Sequence, residues 1–255
     1  MEITLLTGAV LEVRKWKLSD MDTLLKAVGR GFLPALLRVF TDATIRVIDP
    51  GIYPAEWSWG RVYEGDLYDA LWTWRALSLG GSYPFSVTCA MCKRKVEVPF
   101  DVSTITRKPV PEELFEQLKI GKNRIPVSFS LGSAVVIVPT ADEAQALANT
   151  AEKRMSTVRQ KGAEVPAEPE TSLIRSLRQK LLSVTVGETT YEGGKLEAWL
   201  GDIDLDIGGE LIDIIEEKSF GVDTAAEFTC GFCGNTFPGE VPMQKSFFLL
   251  KGGRR

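Results

Sequence analysis

Apolar residues recur along the chain at two spacings, one typical of strands and one typical of helices. Three pairs of apolar segments flank short turns and predict β-hairpins, which are centred on Thr7-Gly8, Leu131–Ser133 and Gly187-Glu188. Helical spacing predicts helices from Ser19 or Asp20 to Val28 with a stop at Gly29, from Phe32 to Phe40, from about Glu64 to Leu79, from Pro111 to Leu118, from Ser172 to Leu182, from Leu196 to Leu200 and from Leu211 to Ser219. We therefore expect an α+β fold in which helices alternate with short β-hairpins.

Residues 140–170, in the middle of the chain, have a weaker pattern of core-forming apolar residues than the rest. Thr140 and Glu143 match a capping box, and the helix predicted after them has only a narrow apolar stripe, so we expect it at the surface. Residues 161–170 are rich in Pro, Ala and Glu and are typical of a flexible link. These features predict three parts: an N-terminal half (1–139), a surface helix and linker (140–170) and a C-terminal half (171–255).

Two Cys-x-x-Cys turns contain every cysteine of the chain, Cys89 and Cys92 in the first and Cys230 and Cys233 in the second. Apolar and β-branched residues flank each turn, which predicts a short strand entering and another leaving, the hairpin known as a zinc knuckle. Four thiolates in two such pairs match a closed, tetrahedral structural zinc site. We expect the four cysteines to share one structural Zn²⁺ and to join the two halves of the chain.

The residues around each pair suit this role to different degrees. Backbone amides of a two-residue turn point at the thiolates and offset their charge. Gly234, directly after the second pair, suits a positive φ angle, whereas Lys93 at the equivalent position of the first pair does not. Lys93, Arg94 and Lys95 together could offset part of the negative charge of a four-thiolate centre.

Two other interpretations of the cysteines stay open at this stage. They could be free buried thiols, or they could form two separate redox pairs that exchange thiols with a substrate. A redox pair of the thioredoxin type begins a helix, whereas residues 95–98 continue as a strand. A catalytic zinc is disfavoured because four cysteine ligands leave no open position.

Composition narrows the functional classes. The 255 residues are enough for one large or two small domains, and they carry a net charge of -4 with a pI near 5.2, so no global basic field attracts nucleic acid. Histidine is absent, which removes the commonest general base and every His-containing metal site. We therefore expect that the protein is not an enzyme.

The longest apolar run, residues 134–138, is too short to span a bilayer, and residues 1–4 do not resemble the start of a signal peptide.

Two further clusters of residues have a composition that suggests chemistry. Four of the six tryptophans lie between Trp57 and Trp74, where a buried helix core is favoured over a platform for nucleotide bases or an exposed partner-binding surface. Asp202, Asp204 and Asp206 lack the glycine and glutamate positions of a calcium loop, so we expect them to favour the N-terminal dipole of the next helix.

The arrangement of these motifs resembles a known protein family. A helix starts at Leu18-Ser19-Asp20-Met21, an aromatic helix precedes the first knuckle, and that knuckle ends in Val96–Val102. A helix leads into Gly221-Val222-Asp223-Thr224 and the second knuckle, and Ser246-Phe247-Phe248 follows. This pattern resembles the baseplate hub proteins of contractile-tailed bacteriophages, the T4-like hub assembly family, over most of the chain.

The resemblance implies a structural or assembly protein of the tail baseplate, made in the host cytoplasm and located in the virion. Its partners would be other hub or wedge proteins of the tail, with several copies in a symmetric assembly and no membrane or nucleic acid. The segments predicted to contact these partners are those with few core-forming residues: the helix after Thr140, the linker up to Glu170 and the tail Lys251–Arg255. The alternative function is a nucleic-acid-binding zinc-ribbon accessory protein with a basic face around Lys93–Lys95.

Overall fold

The computed structural model describes residues 1–28, 31–148 and 173–249. Its strands are β1 (Glu2–Thr4), β2 (Val10–Val13), β3 (Thr44–Asp49), β4 (Phe85–Thr88), β5 (Lys95–Val98), β6 (Thr106–Lys108), β7 (Arg124–Phe129), β8 (Gly132–Ile137), β9 (Leu181–Val186), β10 (Thr189–Glu192), β11 (Gly221–Asp223), β12 (Ala225–Thr229) and β13 (Thr236–Glu240). Its helices are α1 (Leu18–Ala27), α2 (Phe32–Ala43), α3 (Glu64–Leu79), α4 (Glu112–Lys119), α5 (residues 141–148), α6 (Leu173–Lys180), α7 (Gly193–Asp202) and α8 (Leu205–Glu217).

Most predicted elements are confirmed, and the fold mixes helices with several small antiparallel sheets. The three predicted hairpins correspond to β1–β2, β7–β8 and β9–β10. The helix predicted from about Glu64 to Leu79 has those bounds in the structure. The capping box is also confirmed, since the Thr140 N–H donates to Glu143 Oε2 over 3.0 Å and the Glu143 N–H donates to Thr140 Oγ1 over 3.3 Å.

Several predicted boundaries are wrong, among them the starts of α7 and α8, which lie at Gly193 and Leu205 and not at Leu196 and Leu211. Helix α1 begins at Leu18, because Asp20 lies inside its first turn and accepts a hydrogen bond from the Lys17 N–H over 2.7 Å instead of capping the helix itself. Leu181 and Leu182 belong to β9 and not to the preceding helix. There the pairing of β9 with β8 overrides a spacing that also fits a helix. The predicted stop at Gly29 lies outside the described residues.

The chain forms two compact units, each built from separate stretches of sequence. Unit 1 contains residues 1–59, 65–109 and 221–255, and unit 2 contains residues 60–64 and 110–220. Unit 1 therefore includes segments from both ends of the chain. The division at residues 139 and 170 stays a prediction about the sequence.

Unit 2 is built on the four-stranded antiparallel sheet β10-β9-β8-β7. Side chains from this sheet and from α6, α7 and α8 form one core, which contains Phe129, Ala134, Val136, Leu177, Leu181, Val184, Leu196, Leu200 and Leu211. Glu210 of α8 binds the turn between β7 and β8, where it accepts hydrogen bonds from the Ser130 N–H and hydroxyl over 2.8 and 2.6 Å.

Unit 1 has an aromatic core around α3. Trp59, Trp72 and Trp74 are buried, and the Phe40 ring centroid lies 4.7 Å from those of both Trp59 and Trp74. The core interpretation of these tryptophans is therefore confirmed. Trp72 extends the core toward the C-terminal segment, since its centroid lies 4.7 Å from that of Phe247.

Arg75 of α3 ties the C-terminal segment to the first cysteine hairpin. Its guanidinium is buried and donates to the Phe247 carbonyl over 3.2 Å, to the Ser82 carbonyl over 2.7 Å and to the Gly80 carbonyl. The same guanidinium lies 5.6 Å from the ring centroids of Phe247 and Tyr83. Tyr83 lies two residues before β4. One buried cation therefore binds α3, the approach to the first hairpin and the end of the described chain.

A second contact between distant parts of the sequence is the antiparallel pairing of β11 with β6. Val222 pairs with Arg107, and Gly221 packs so tightly that an added Cβ would lie 3.0 Å from the Gly65 Cα. Gly221 also has a φ of +130°, which side chains rarely adopt. A glycine is therefore required where the chain returns to unit 1.

Replacing Gly221 by alanine should destabilise the protein by about 2–4 kcal/mol, because the methyl group meets backbone atoms and the φ angle is strained. Urea unfolding followed by tryptophan fluorescence measures this loss. Gly209→Ala is the control, since its Cβ meets no atom within 4 Å and it lies within a helix. Equal stability of the two variants would contradict the close-approach explanation.

Asp69 of α3 should make stability depend on pH. Burial raises the pKa of its carboxyl to about 6, although Arg107 at 2.9 Å lowers it. The folded state therefore holds the proton more tightly than the unfolded chain, and stability falls as the pH rises from about 4 to about 6. Asp69→Asn should flatten this slope and raise the free energy of unfolding at pH 7 by about 1–2 kcal/mol.

Urea unfolding of wild type and Asp69→Asn at several pH values between 4 and 7 tests this expectation. Asp42→Asn is the matched control, because Asp42 is an exposed carboxylate on α2. An unchanged slope in Asp69→Asn would show that Asp69 does not titrate in this range.

Candidate metal centre

Each cysteine pair lies in the turn of a two-stranded antiparallel hairpin. The first pair joins β4 to β5 and the second joins β12 to β13. The residue before the first cysteine pairs with the residue six positions after that cysteine in both hairpins, Thr88 with Lys95 and Thr229 with Thr236. The predicted hairpins are therefore confirmed, and the two turns have the same register.

The first turn is closed by two backbone hydrogen bonds. The Cys89 N–H donates to the Arg94 carbonyl over 2.9 Å, and the Lys93 N–H donates to the Cys89 carbonyl over 3.0 Å. Lys93 takes a φ of 59° in this turn and is the non-glycine residue with a positive φ among those the structure describes. A side chain in this left-handed conformation costs about 1–2 kcal/mol.

The second turn repeats this geometry with a glycine. The Cys230 N–H donates to the Asn235 carbonyl over 2.9 Å, and the Gly234 N–H donates to the Cys230 carbonyl over 2.8 Å. Gly234 has a φ of 71°, which glycine adopts without strain. Lys93 and Gly234 thus adopt the same left-handed conformation at matching positions of two similar turns, and only the lysine is strained by it.

The structure brings all four predicted residues together. Their sulfur atoms lie within 4.8 Å of one another, with 3.8 Å between Cys89 and Cys233 and 3.7 Å between Cys92 and Cys230. A tetrahedral ion with metal–sulfur bonds of about 2.3 Å, the length typical of zinc, requires sulfur–sulfur distances of about 3.8 Å. Two of the distances already match this value, and the four sulfurs lie close enough together to hold one metal ion.

The cluster is closed on its inner side and open on its outer side. Cys89 and Cys230 are buried, Cys92 is half-buried and Cys233 is exposed. Apolar side chains of the two hairpins cover the buried sulfurs, namely Val87, Val96, Val98 and Phe237. An ion bound by all four sulfurs would have no open coordination position, as expected for a structural centre.

The turn amides favour thiolates at the first cysteine of each pair. Hydrogen bonding from the Cys92 backbone lowers the pKa of Cys89, and hydrogen bonding from the Phe232 backbone lowers that of Cys230 to about 7. The Asn235 backbone lowers the pKa of Cys233, but desolvation and hydrogen bonds with the other three thiols together raise it to about 11. The repulsion among clustered thiolates is of the kind that a bound cation relieves.

The geometry does not support the redox interpretation. A redox Cys-x-x-Cys pair acts from the start of a helix, whereas both pairs here are followed by strands that complete hairpins. All four sulfurs also form one group instead of two separate pairs.

Among the residues that the structure describes, no other set of three or more Cys, His, Asp or Glu side chains is close enough to hold a metal ion, so Asp202, Asp204 and Asp206 form no such site.

The tips of the two turns carry features that the cysteine spacing alone does not indicate. Met91 and Phe232 occupy the third position of each Cys-x-x-Cys turn, and their side chains are 72% and 61% exposed. The Arg94 guanidinium lies 5.1 Å from the centroid of the Phe232 ring, so one hairpin contacts the other through a cation–π pair. The signal in the sequence was an apolar residue between the cysteines of both pairs.

The chain matches the family of T4 bacteriophage base plate proteins over residues 2–249, nearly its whole length, and it belongs to that family. This membership confirms the resemblance and gives the chain a structural role in a bacteriophage base plate, with other base plate proteins as partners and the virion tail as its location. Searches of curated proteins and of solved structures gave no match. No helix in the described parts of the chain combines the length and apolar character needed to cross a membrane.

Gly234→Ala should destabilise the second hairpin by about 1 kcal/mol, because the added methyl group forces an unfavourable left-handed φ although it meets no neighbouring atom. Gly231→Ala is the control in the same turn. Its Cβ also meets no neighbouring atom, and alanine stands at the equivalent position of the first turn. Thermal unfolding of the two variants compares them, and an equal loss of stability in both would show that backbone conformation is not the cause.

Proposed function

We propose that this chain is a structural or assembly subunit at or near the hub of a contractile-tail baseplate. It acts through protein–protein contacts and not through catalysis. Several copies belong to one symmetric baseplate, and the chain folds in the host cytoplasm before assembly.

The observation that carries this proposal is the match to the base plate family over residues 2–249, together with a site suited to holding structure. Four clustered cysteines from two separate segments of unit 1 leave a shared ion no open coordination position. Trp59, Trp72 and Trp74 are packed in the core instead of forming a platform for a substrate or for bases. Each of these features favours a subunit that presents surfaces to neighbours.

Cys89, Cys92, Cys230 and Cys233 hold one structural Zn²⁺ in this proposal. The ion cross-links two hairpins that are far apart in the sequence. Closing so long a loop costs about 4 kcal/mol, whereas structural zinc contributes roughly 10–16 kcal/mol in small peptides. The balance strongly favours the joined hairpins.

Three segments are proposed as contacts with other hub or wedge proteins. The first is the helix that follows Thr140, of which residues 141–148 are described and are mostly exposed or half-buried. The other two, residues 161–170 and 251–255, lie outside the described residues. The nucleic-acid alternative has weaker support, because the net charge is -4 and Lys93–Lys95 is a single basic turn.

Metal analysis tests the proposed centre. Mass spectrometry of the purified protein should find one zinc per chain, and a chelator should expose four titratable thiols and lower the melting temperature. Replacing Cys230 and Cys233 by serine should abolish zinc binding, while Thr229→Ser should retain it. A metal-free wild-type protein with reactive thiols would contradict the zinc centre and favour the redox interpretation.

Isolation of baseplates and their assembly intermediates from infected cells tests the proposed role. Quantitative mass spectrometry should find the chain in these particles at a constant ratio to other hub proteins. Absence of the chain from both baseplates and intermediates would contradict the proposal, whatever its metal content.

A further inference from the structure

The two Cys-x-x-Cys turns together form an exposed surface, which we call the knuckle tip and define as Met91, Lys93, Arg94, Lys95 and Phe232. All five side chains are exposed. Because the four sulfurs hold the turns together, Met91 and Phe232 belong to the same end of unit 1. Large apolar side chains exposed beside a rigid centre are typical of contact surfaces.

The charge of the knuckle tip defines what it can bind. The turn from Cys89 to Lys95 contains three cationic residues and no acidic one, and the turn from Cys230 to Thr236 contains no charged residue. The Arg94 guanidinium is positioned over the Phe232 ring, which joins the cationic and apolar parts into one surface. The complementary partner is therefore an acidic segment that presents an apolar side chain.

The chain itself contains such a segment in unit 2. Asp202, Asp204 and Asp206 are exposed where α7 leads into α8, and no Lys or Arg occurs between Leu196 and Glu217. Leu205 lies among these carboxylates with 87% of its surface exposed, more than any other large apolar residue that the structure describes. Residues 202–206 thus match the knuckle tip in charge and in apolar character.

We propose that the knuckle tip binds residues 202–206 of a second copy of this chain. Leu205 packs against Met91 and Phe232, and the flanking aspartates pair with Arg94 and Lys95. The two contacting surfaces differ, so the contact is head-to-tail, and repeated contacts close a ring or extend a filament. This inference names a self-association surface that base plate family membership does not by itself supply.

Charge-reversed variants test the proposal in the purified, zinc-loaded protein. Arg94→Glu/Lys95→Glu gives a chain with an acidic tip and an acidic segment, and Asp204→Lys/Asp206→Lys gives a chain that is basic at both. Each variant alone should repel its own copies. Lys122→Glu/Lys195→Glu makes the same change of charge as the first variant at two exposed lysines that belong to neither segment and is the control.

Sedimentation velocity over a concentration series should show self-association of the wild type and of the control, weaker at high salt because exposed charges are screened. Each reversed variant alone should associate at least about tenfold more weakly. An equimolar mixture of the two should recover association, because every tip then meets a segment of opposite charge.

Three results would overturn the proposal: a wild type that stays monomeric at all concentrations, reversed variants that associate like the control, or a mixture that does not recover. Zinc content and melting temperature of every variant separate these results from a failure of the metal centre. A variant that keeps its zinc and its melting temperature but loses association reports on the contact alone.

Discussion

The convergence of two cysteine pairs is the constraint on which unit 1 depends. Cys89 and Cys230 lie in turns of the same register, and each turn directs a backbone amide at a thiol. The sulfur–sulfur distances of 3.7 and 3.8 Å are those that a tetrahedral thiolate centre requires. The remaining two sulfurs complete the cluster. Apolar side chains from both hairpins pack around it, so neither hairpin alone provides the whole hydrophobic environment of its cysteines.

Polar contacts inside unit 1 also stabilise the junction between the two hairpins. Arg75 satisfies carbonyls on the approach to the first hairpin and on the C-terminal segment, so a buried cation replaces apolar packing where three segments meet. Gly221 allows the returning chain to approach the start of α3. Together these contacts position the second hairpin against the first independently of any metal ion.

Local patterns predicted most of the secondary structure, and spacing predicted the composition of the cysteine cluster. The helix at Glu64–Leu79 and the β9–β10 hairpin depend on neighbours in sequence, so periodicity was sufficient. Leu181 was misassigned because its strand partner lies in a distant segment. The same limit applies to Arg75 and Gly221, whose roles arise only from tertiary contacts. The exposure of Phe232 likewise required the structure.

The interleaving of the two units has a consequence for synthesis on the ribosome. Residues 110–220, which make up most of unit 2, emerge as one continuous stretch, whereas unit 1 needs residues from 221 onward to finish its core. Phe247 and Phe248, both fully buried in unit 1, are among the last described residues to be translated. The aromatic surface of the N-terminal segments therefore stays uncovered until residues 247 and 248 have been translated. A nascent chain that stalls after residue 220 can complete unit 2 but not unit 1, and it exposes the surface that chaperones recognise.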